Sequence, residues 1–217
     1  LFSYPGAFKG PTRDLTLDAY VSGPLSLFGR THELVIGINR GAAQLKQYSG
    51  YANDSIGLPL PGDAAFDGSF RLPAFPAFDL SADFHQRRES AYALVRLNPA
   101  DGVKLMLGGN VTHATSHGYS YGVRSDFDRT RASPYVGATV AFSRNLSAYA
   151  SYTKIFNPQT EVDIGRRVLP PIDGENLEAG IKGAWFENRL NASLAIFRVR
   201  QDNLAEAAGF DTGTGQT

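Results

Sequence analysis

The residues with the clearest potential for chemistry lie in the segment HGYSYGV, from His117 to Val123. Gly118, Ser120 and Gly122 form the pattern G-x-S-x-G, which marks the nucleophile elbow of α/β-hydrolases. That elbow needs a strand before the serine, a helix after it, and the chain order serine, acid, histidine. No amphipathic pattern follows Gly122, and all four histidines precede Ser120. We therefore predict that Ser120 is not a catalytic residue.

Two histidines have the spacing of a metal-binding pair. His113 and His117 are four residues apart, which places two ligands on one face of a helix. The segment between them shows no helical pattern, and no third ligand stands nearby. The chain contains no cysteine, so a thiolate metal site or a disulfide framework is excluded. We predict no metal site.

Composition narrows the class of protein. The 217 residues include 21 basic and 21 acidic side chains, and a net charge of zero gives no reason to expect a nucleic-acid partner. No apolar run approaches the roughly 20 residues of a membrane-spanning helix. The first residues, LFSYPGAFKGP, lack the pattern of a signal peptide. The 14 phenylalanines, 10 tyrosines and 23 glycines indicate an all-β fold.

Eight segments alternate apolar and polar residues with a period of two, which predicts eight strands. They cover 15–21, 33–39, 90–97, 103–112, 135–140, 146–153, 177–182 and 190–197. Short segments with turn chemistry connect them in pairs, at 22–32, 98–102, 143–145 and 186–189. Long loops, at 41–87, 114–132 and 157–174, separate the pairs. Short turns at one end and long loops at the other are typical of an outer-membrane barrel.

One segment remains ambiguous at this point. Residues 184–208 contain no glycine or proline, and Phe186, Leu190, Leu194 and Phe197 also fit the spacing of a helix face. Periodicity alone leaves strand and helix open for this segment.

The two faces of the predicted strands differ in character. One row carries small and branched aliphatic residues, and the opposite row carries the charges Asp18, Glu33, Arg96, Lys104, Glu178 and Lys182. In a water-soluble sheet the aliphatic row covers a core and the charges face solvent. In a membrane barrel the aliphatic row faces lipid and the charges line a wet lumen. The alternation is compatible with both arrangements.

Two stretches in the second half carry a family resemblance. NLSAYASYTKIFNPQ and LPPIDGENLEAGIKGAWFENRLNASLAIFRVRQDN resemble the barrel of TonB-dependent ferric-siderophore receptors. The matching features are Tyr149, Tyr152, Asn157-Pro158-Gln159, the loop end Pro171–Gly174, Glu178-x-Gly180-x-Lys182 and Asn203. LDAYVSGPLSLFGRTHELVIG resembles an earlier hairpin of the same family. The resemblance covers most of the chain and is most specific over 145–203, whereas loops 41–87 and 114–132 match only in position.

The resemblance implies an all-β, antiparallel transmembrane β-barrel in the bacterial outer membrane, with long external loops and short periplasmic turns. The family forms a 22-stranded barrel with a plug, and residues 1–217 are expected to be a single barrel segment of about eight of those strands. We expect neither the plug domain nor the C-terminal closing strand within it, and residues 210–217 are expected to stop inside an external loop. The parent protein is expected to be a transporter rather than an enzyme, and it would import Fe(III)-siderophore complexes with energy from TonB.

The resemblance also implies the partners. They are a ferric siderophore, TonB through the missing N-terminal part, and outer-membrane lipid. No cofactor is expected, because the iron arrives already chelated by the siderophore. Two other functions remain open from the residues: a soluble all-β binding module, and a small closed eight-stranded barrel with an adhesive or enzymatic role.

Aromatic residues in the predicted loops are the candidate ligand-binding residues. Loop 41–87 contains Tyr48 and Tyr51 together with several phenylalanines, among them Phe66 and Phe70. A ferric siderophore is a compact chelate, partly aromatic or of the hydroxamate type and often charged, and aromatic faces and arginine donors suit it. The alternative is that these aromatics pack the loops or form the interfacial girdle. The candidates in loop 114–132 are Tyr119, Tyr121 and Arg124.

Overall fold

The computed structural model describes residues 4–52, 54, 57, 73–75, 77–207 and 209, and these form one antiparallel sheet of ten strands. None of the described residues belongs to a helix long and apolar enough to cross a membrane. The predicted loop residues Phe66 and Phe70 and the end at 210–217 lie outside the described residues. The strands are β1 (Gly6–Lys9), β2 (Thr12–Leu27), β3 (Arg30–Tyr51), β4 (Asp79–Ala100), β5 (Val103–Ser120), β6 (Val123–Arg124), β7 (Phe127–Ala141), β8 (Leu146–Asn157), β9 (Ile172–Trp185) and β10 (Leu190–Asp202).

The ten strands occupy eight neighbouring positions in the sheet. β1 and β2 both pair with β3, and β6 and β7 both pair with β5, so each couple is one strand with an interruption. The remaining strands pair in chain order from β3 to β10. This confirms the eight predicted strands. It also resolves the ambiguous segment 184–208, which forms the end of β9, a turn and β10.

A short turn lies within each of the four predicted connections, all at the same end of the sheet, but the connection predicted over 22–32 is too long because β2 continues to Leu27 and β3 begins at Arg30. Between β2 and β3, Leu27 pairs with Arg30 around a two-residue turn of Phe28 and Gly29, with φ of 51° and 71°. Two positive φ values match the type I′ turn, whose twist fits the twist of the flanking strands. The β9–β10 turn contains three consecutive residues with positive φ, Phe186, Glu187 and Asn188.

Two of the three predicted loops are too long. Loop 41–87 is wrong at both ends, because β3 continues to Tyr51 and β4 begins at Asp79. Loop 114–132 is wrong over most of its length, because β5 continues to Ser120 and turns tightly into β6. The prediction ended each strand where apolar alternation ended, but backbone pairing continues through polar residues. The third connection, between β8 and β9, is long as predicted and contains one isolated bridge, Val162 to Val168.

The aliphatic rows do not form a core. Ile38 is 63% exposed and Val21 is 78% exposed. Among the described residues, the buried hydrophobic ones are Ala52, Ala82, Ala114, Phe127 and Phe156. A soluble sheet needs an apolar face covered by another layer, so the soluble binding module is not favoured. A contiguous exposed aliphatic surface of this kind marks contact with a membrane or partner.

We name the two faces by residues of neighbouring strands. The outer face carries Leu17 and Ile38, and the inner face carries Asp18 and Asn39.

In the described part of the chain, β2 and β10 lie at opposite edges of the sheet and do not pair with each other. The sheet is therefore open, which does not favour the small closed barrel.

Candidate functional site

The inner face is a hydrogen-bonded polar wall. Ser90 and Thr112, in register on β4 and β5, share a buried hydrogen bond of 2.8 Å. On β8 and β9, the Tyr149 hydroxyl donates to Glu178 at 2.5 Å, and the Lys182 ammonium lies 4.3 Å from the centre of the same ring. Such rows of hydroxyl, amide and charged side chains suit a wet lumen rather than a lipid-facing surface. A depression of about 540 Å³ is lined by Thr16, Asp18, Asn39, Gly41, Arg88, Ser90, Tyr92, Asn110 and Thr112.

At the end of the sheet with the long connections, Tyr121 fixes the β5–β6 turn onto neighbouring strands. Tyr121 and Gly122 have φ of 47° and 78°, which again matches a type I′ turn. The backbone N–H of Tyr121 donates to the carbonyl of Ser81 at 2.7 Å. Its hydroxyl lies 2.8 Å from Ser49 Oγ and accepts a hydrogen bond from Gln47 Nε2 at 2.9 Å. The turn is thus bound to β3 and to the start of β4.

An aromatic cluster centred on Tyr51 lies beside this turn on the inner face. The ring of Tyr51 lies 5.8 Å from that of Tyr4 and 6.1 Å from that of Phe8, in tilted and edge-on orientations. The Tyr51 hydroxyl is a neighbour of the Tyr121 hydroxyl, and this neighbour raises the pKa of Tyr51. Tyr4 and Phe8 are exposed, so the cluster offers aromatic faces at the mouth of the inner face. We call Tyr4, Phe8, Tyr51 and Tyr121 the mouth cluster.

The two tyrosine hydroxyls differ in acidity. The pKa of Tyr121 lies below the ordinary tyrosine value, first because of its hydrogen bond with the Ser49 hydroxyl. The pKa of Tyr51 is raised, first by the neighbouring Tyr121 hydroxyl. The Gln47 amide also donates to the Tyr121 oxygen, which favours the ionised form of Tyr121.

The structure brings together two of the five predicted ligand-binding residues. Tyr51 and Tyr121 meet in the mouth cluster, but Tyr48 lies opposite Lys9 on the other face of β3. Tyr119 and Arg124 are opposite each other on β5 and β6. The Arg124 guanidinium contacts the carboxylate of Asp126, at 2.9 Å, rather than the mouth cluster.

Sequence reasoning missed the other members of the site, Tyr4, Phe8, Gln47 and Ser49. Tyr4 and Phe8 precede Gly10-Pro11, which separates β1 from β2. No alternation predicts a strand in this first segment. The sequence feature that could have indicated these two residues is their spacing: Tyr4 and Phe8 are aromatic and four positions apart. Two residues that far apart on an extended chain lie on one face.

The glycines of the G-x-S-x-G segment have structural roles in the hairpin. A Cβ on Gly118 would lie 2.0 Å from the carbonyl oxygen of Asp83, and Gly122 takes a positive φ in the turn. Ser120 is the last residue of β5 and is followed by this turn, where an elbow would have a helix. The Gly118 N–H donates to Asp126 at 2.9 Å. That bond is the first cause of the lowered pKa of Asp126, followed by Arg124.

The two histidines lie on β5, not on a helix. Four residues of strand separate them by about 13 Å, too far for one metal ion. His113 Nδ1 lies 2.9 Å from the Thr130 hydroxyl. No group of three or more potential metal ligands occurs in the described part of the chain.

The comparisons with known proteins agree on one family. Residues 2–217 match the family model described as "TonB dependent receptor-like, beta-barrel". The chain is 34% identical over 209 residues to the ferripyoverdine receptor of Pseudomonas aeruginosa, covering 92% of this chain and 24% of that protein. It is 36% identical over 218 residues to the ferric-pyoverdine BN7/BN8 receptor of Pseudomonas putida, covering 94% of this chain and 27% of that protein.

A solved structure shows the same architecture. The ferripyoverdine receptor of the outer membrane of Pseudomonas aeruginosa, bound to ferripyoverdine, superimposes with a TM-score of 0.81 at 32% identity. The superposition covers 94% of this chain and 27% of that one. The chain thus spans about a quarter of the length of the relatives that it matches.

Proposed function

The chain belongs to the TonB-dependent receptor family as part of the β-barrel of an outer-membrane protein, and we propose that the whole receptor imports ferric siderophores of the pyoverdine class. The observation that carries this proposal is the similarity to two ferric-pyoverdine receptors over more than nine-tenths of this chain. In the proposed receptor the open sheet is completed to a 22-stranded barrel around a plug, and TonB supplies the energy. Residues 1–217 supply one barrel segment of that receptor.

We propose that the mouth cluster contacts the incoming chelate. Its aromatic rings stand exposed at the end of the inner face where external loops are expected. Tyr51 and Tyr121 add hydroxyl groups, and hydrogen bonds with Gln47 and Ser49 orient that of Tyr121. Aromatic faces with a few oriented polar groups suit a bulky chelate, because they give area with little loss of side-chain entropy. The remaining predicted contacts lie on the other face of the sheet, where only a ligand or a loop on that face could reach them. They are Tyr48, Tyr119 and Arg124.

The protein is not proposed to ligate the iron. The siderophore fills the coordination sphere of the metal, so the cargo is recognised by its outer surface, and no resident cofactor is needed. Below the mouth, the inner wall offers hydroxyl, amide and charged groups, including Ser90, Thr112 and Asn110. A wall of this kind stays hydrated, which suits passage of a polar cargo.

The test is uptake of radioactive iron by a strain that lacks the parent gene and every other siderophore receptor. Complementation with the wild-type gene is expected to restore uptake from ferripyoverdines and growth in iron-limited medium. The double variant Tyr51→Ala/Tyr121→Ala is expected to weaken uptake at low chelate concentration about tenfold, given about 0.5–1.5 kcal/mol for an aromatic contact. Phe28→Ala, in a turn at the opposite end, is the matched control. If the restored strain imports iron from none of the siderophores offered, the assignment is wrong.

A further inference from the structure

On the outer face, the aliphatic rows of β2, β3 and β4 end in arginines. Ile38 is followed on the same face by Arg40, and Leu15 is preceded by Arg13. Arg87 lies opposite Ala42, and Arg13 lies opposite Gln44. The three arginines thus come from three adjacent strands and lie within four residues of one another along β3. We call them the outer arginine row.

The outer arginine row carries excess positive charge. Arg40 contacts Glu89 at 3.3 Å, and both side chains are about half exposed. Within the described residues, Arg13 and Arg87 form no ion pair, and both are exposed. Further out on the same face, the carboxylate of Asp83 is shared by Lys46 and His85 at 3.7 and 3.5 Å. Two guanidinium groups therefore remain available beside an aliphatic surface.

The aliphatic surface next to the row is exposed. Leu15, Leu17 and Ile38 are between 58% and 63% exposed. Cations at the edge of an apolar band are stabilised by anionic groups at the membrane interface, toward which long side chains extend. A ligand that pairs with the arginines and also covers the aliphatic side chains has a phosphate group joined to hydrocarbon chains.

We propose that this part of the outer face binds a phosphorylated, acylated lipid of the outer leaflet, of the lipid A type. Its phosphate lies at Arg13, Arg40 and Arg87, and its acyl chains lie along Leu15, Leu17 and Ile38. The row is at the end of the sheet with the long connections, which is the external end of an outer-membrane barrel. Guanidinium groups bind phosphate oxygens in bidentate geometry, which favours arginine for this task. The inference does not depend on which cargo the receptor imports.

Neighbouring arginines on β4 provide a matched control. Arg87 is on the outer face, and Arg88 is on the inner face, where it lines the depression. Arg87→Gln and Arg88→Gln remove the same charge from the same strand, one residue apart. If the outer face is the docking surface, only Arg87→Gln should change lipid binding.

The experiment measures lipid bound to the whole receptor, purified in detergent, by native mass spectrometry. Wild type, Arg13→Gln/Arg87→Gln, each single variant and Arg88→Gln are titrated with bisphosphorylated lipid A and with its dephosphorylated form. Each outer arginine removed should weaken binding of the phosphorylated lipid about fivefold, from about 1 kcal/mol per basic residue at a membrane surface. Arg88→Gln should bind like wild type, and the dephosphorylated lipid should bind all variants equally weakly.

Three results would overturn the proposal. They are unchanged binding by Arg87→Gln and Arg13→Gln, an equal loss in Arg88→Gln, or equal affinity of wild type for phosphorylated and dephosphorylated lipid. Circular dichroism of each variant verifies the fold. If the double variant does not fold, the single variants still test the proposal.

Discussion

The side-chain amide of Gln159 donates to the backbone carbonyl of Asn203, 44 residues away, at 2.7 Å, and to that of Pro170 at 2.5 Å. Asn203, with a left-handed φ of 63°, donates from its own amide to Pro171 at 3.0 Å. Gln159 is buried. The long connection between β8 and β9 is therefore tied at both ends to the end of β10. Both side chains belong to the motifs that carry the family resemblance.

Gln159→Ala is expected to loosen this connection. Loss of the amide removes two hydrogen bonds to the carbonyls of the exposed residues Pro170 and Asn203, each worth about 0.5–1.5 kcal/mol. Trypsin should then cleave after the exposed residues Arg166 and Arg167 about tenfold faster than in wild type. Gln201→Ala, an exposed glutamine on β10, is the control and should leave the cleavage rate unchanged. Equal rates in the two variants would contradict the role of Gln159.

Tyr121→Phe is expected to release the β5–β6 turn without changing its shape. The variant removes the hydroxyl that Gln47 and Ser49 contact, at a cost of about 1 kcal/mol. Hydrogen exchange of the Tyr121 backbone N–H should then accelerate about fivefold. Tyr119→Phe removes a hydroxyl from the opposite face of the same hairpin and should have no such effect. A similar acceleration in both variants would show that the contacts of Tyr121 are not responsible.

Protonation of Asp126 is expected to weaken the same hairpin in acid. Its pKa is lowered in the folded state, first by the Gly118 N–H and then by Arg124. The stabilisation is thus fully present above the ordinary aspartate pKa of about 4 and is lost as pH falls through the lower folded pKa. The amide shift of Gly118, followed by NMR from pH 6 downward, should report the loss. Asp126→Asn should abolish this titration and Asp128→Asn should retain it; a titration that persists in Asp126→Asn would assign it to another group.

Adjacent substitutions on β3 test the assignment of the two faces. Ile38→Lys places a charge on the outer face, inside the apolar band but close to its arginine edge, and should lower the free energy of unfolding by about 1–2 kcal/mol, between the midplane and interface costs. Asn39→Lys places the same charge on the inner face, opposite Asp18, and should cost less than about 1 kcal/mol. Denaturant unfolding of the whole receptor in lipid vesicles measures both. The assignment fails if Asn39→Lys is the more damaging change.

The local sequence by itself determined the number of strands, the turns and the composition of the two faces. Period-two alternation and turn residues act over a few neighbours, so Leu34, Ile36 and Ile38 predict their strand and face without any partner. The same alternation places Leu15 and Leu17 on one face of their strand and Asp18 on the other. They left open whether the aliphatic face was a core, because alternation is the same in water and in lipid.

Only the tertiary structure decided where the strands end and which side chains meet. Strands extend beyond the aliphatic rows because backbone hydrogen bonds between neighbours, rather than apolar alternation, hold them together. Tyr51 and Tyr121 meet because the register of β3, β4 and β5 places the β5–β6 turn beside the end of β3, whereas Tyr48, three residues from Tyr51, lies on the other face by simple alternation. Register is a property of paired strands far apart in the chain, so no local pattern in the sequence contains it.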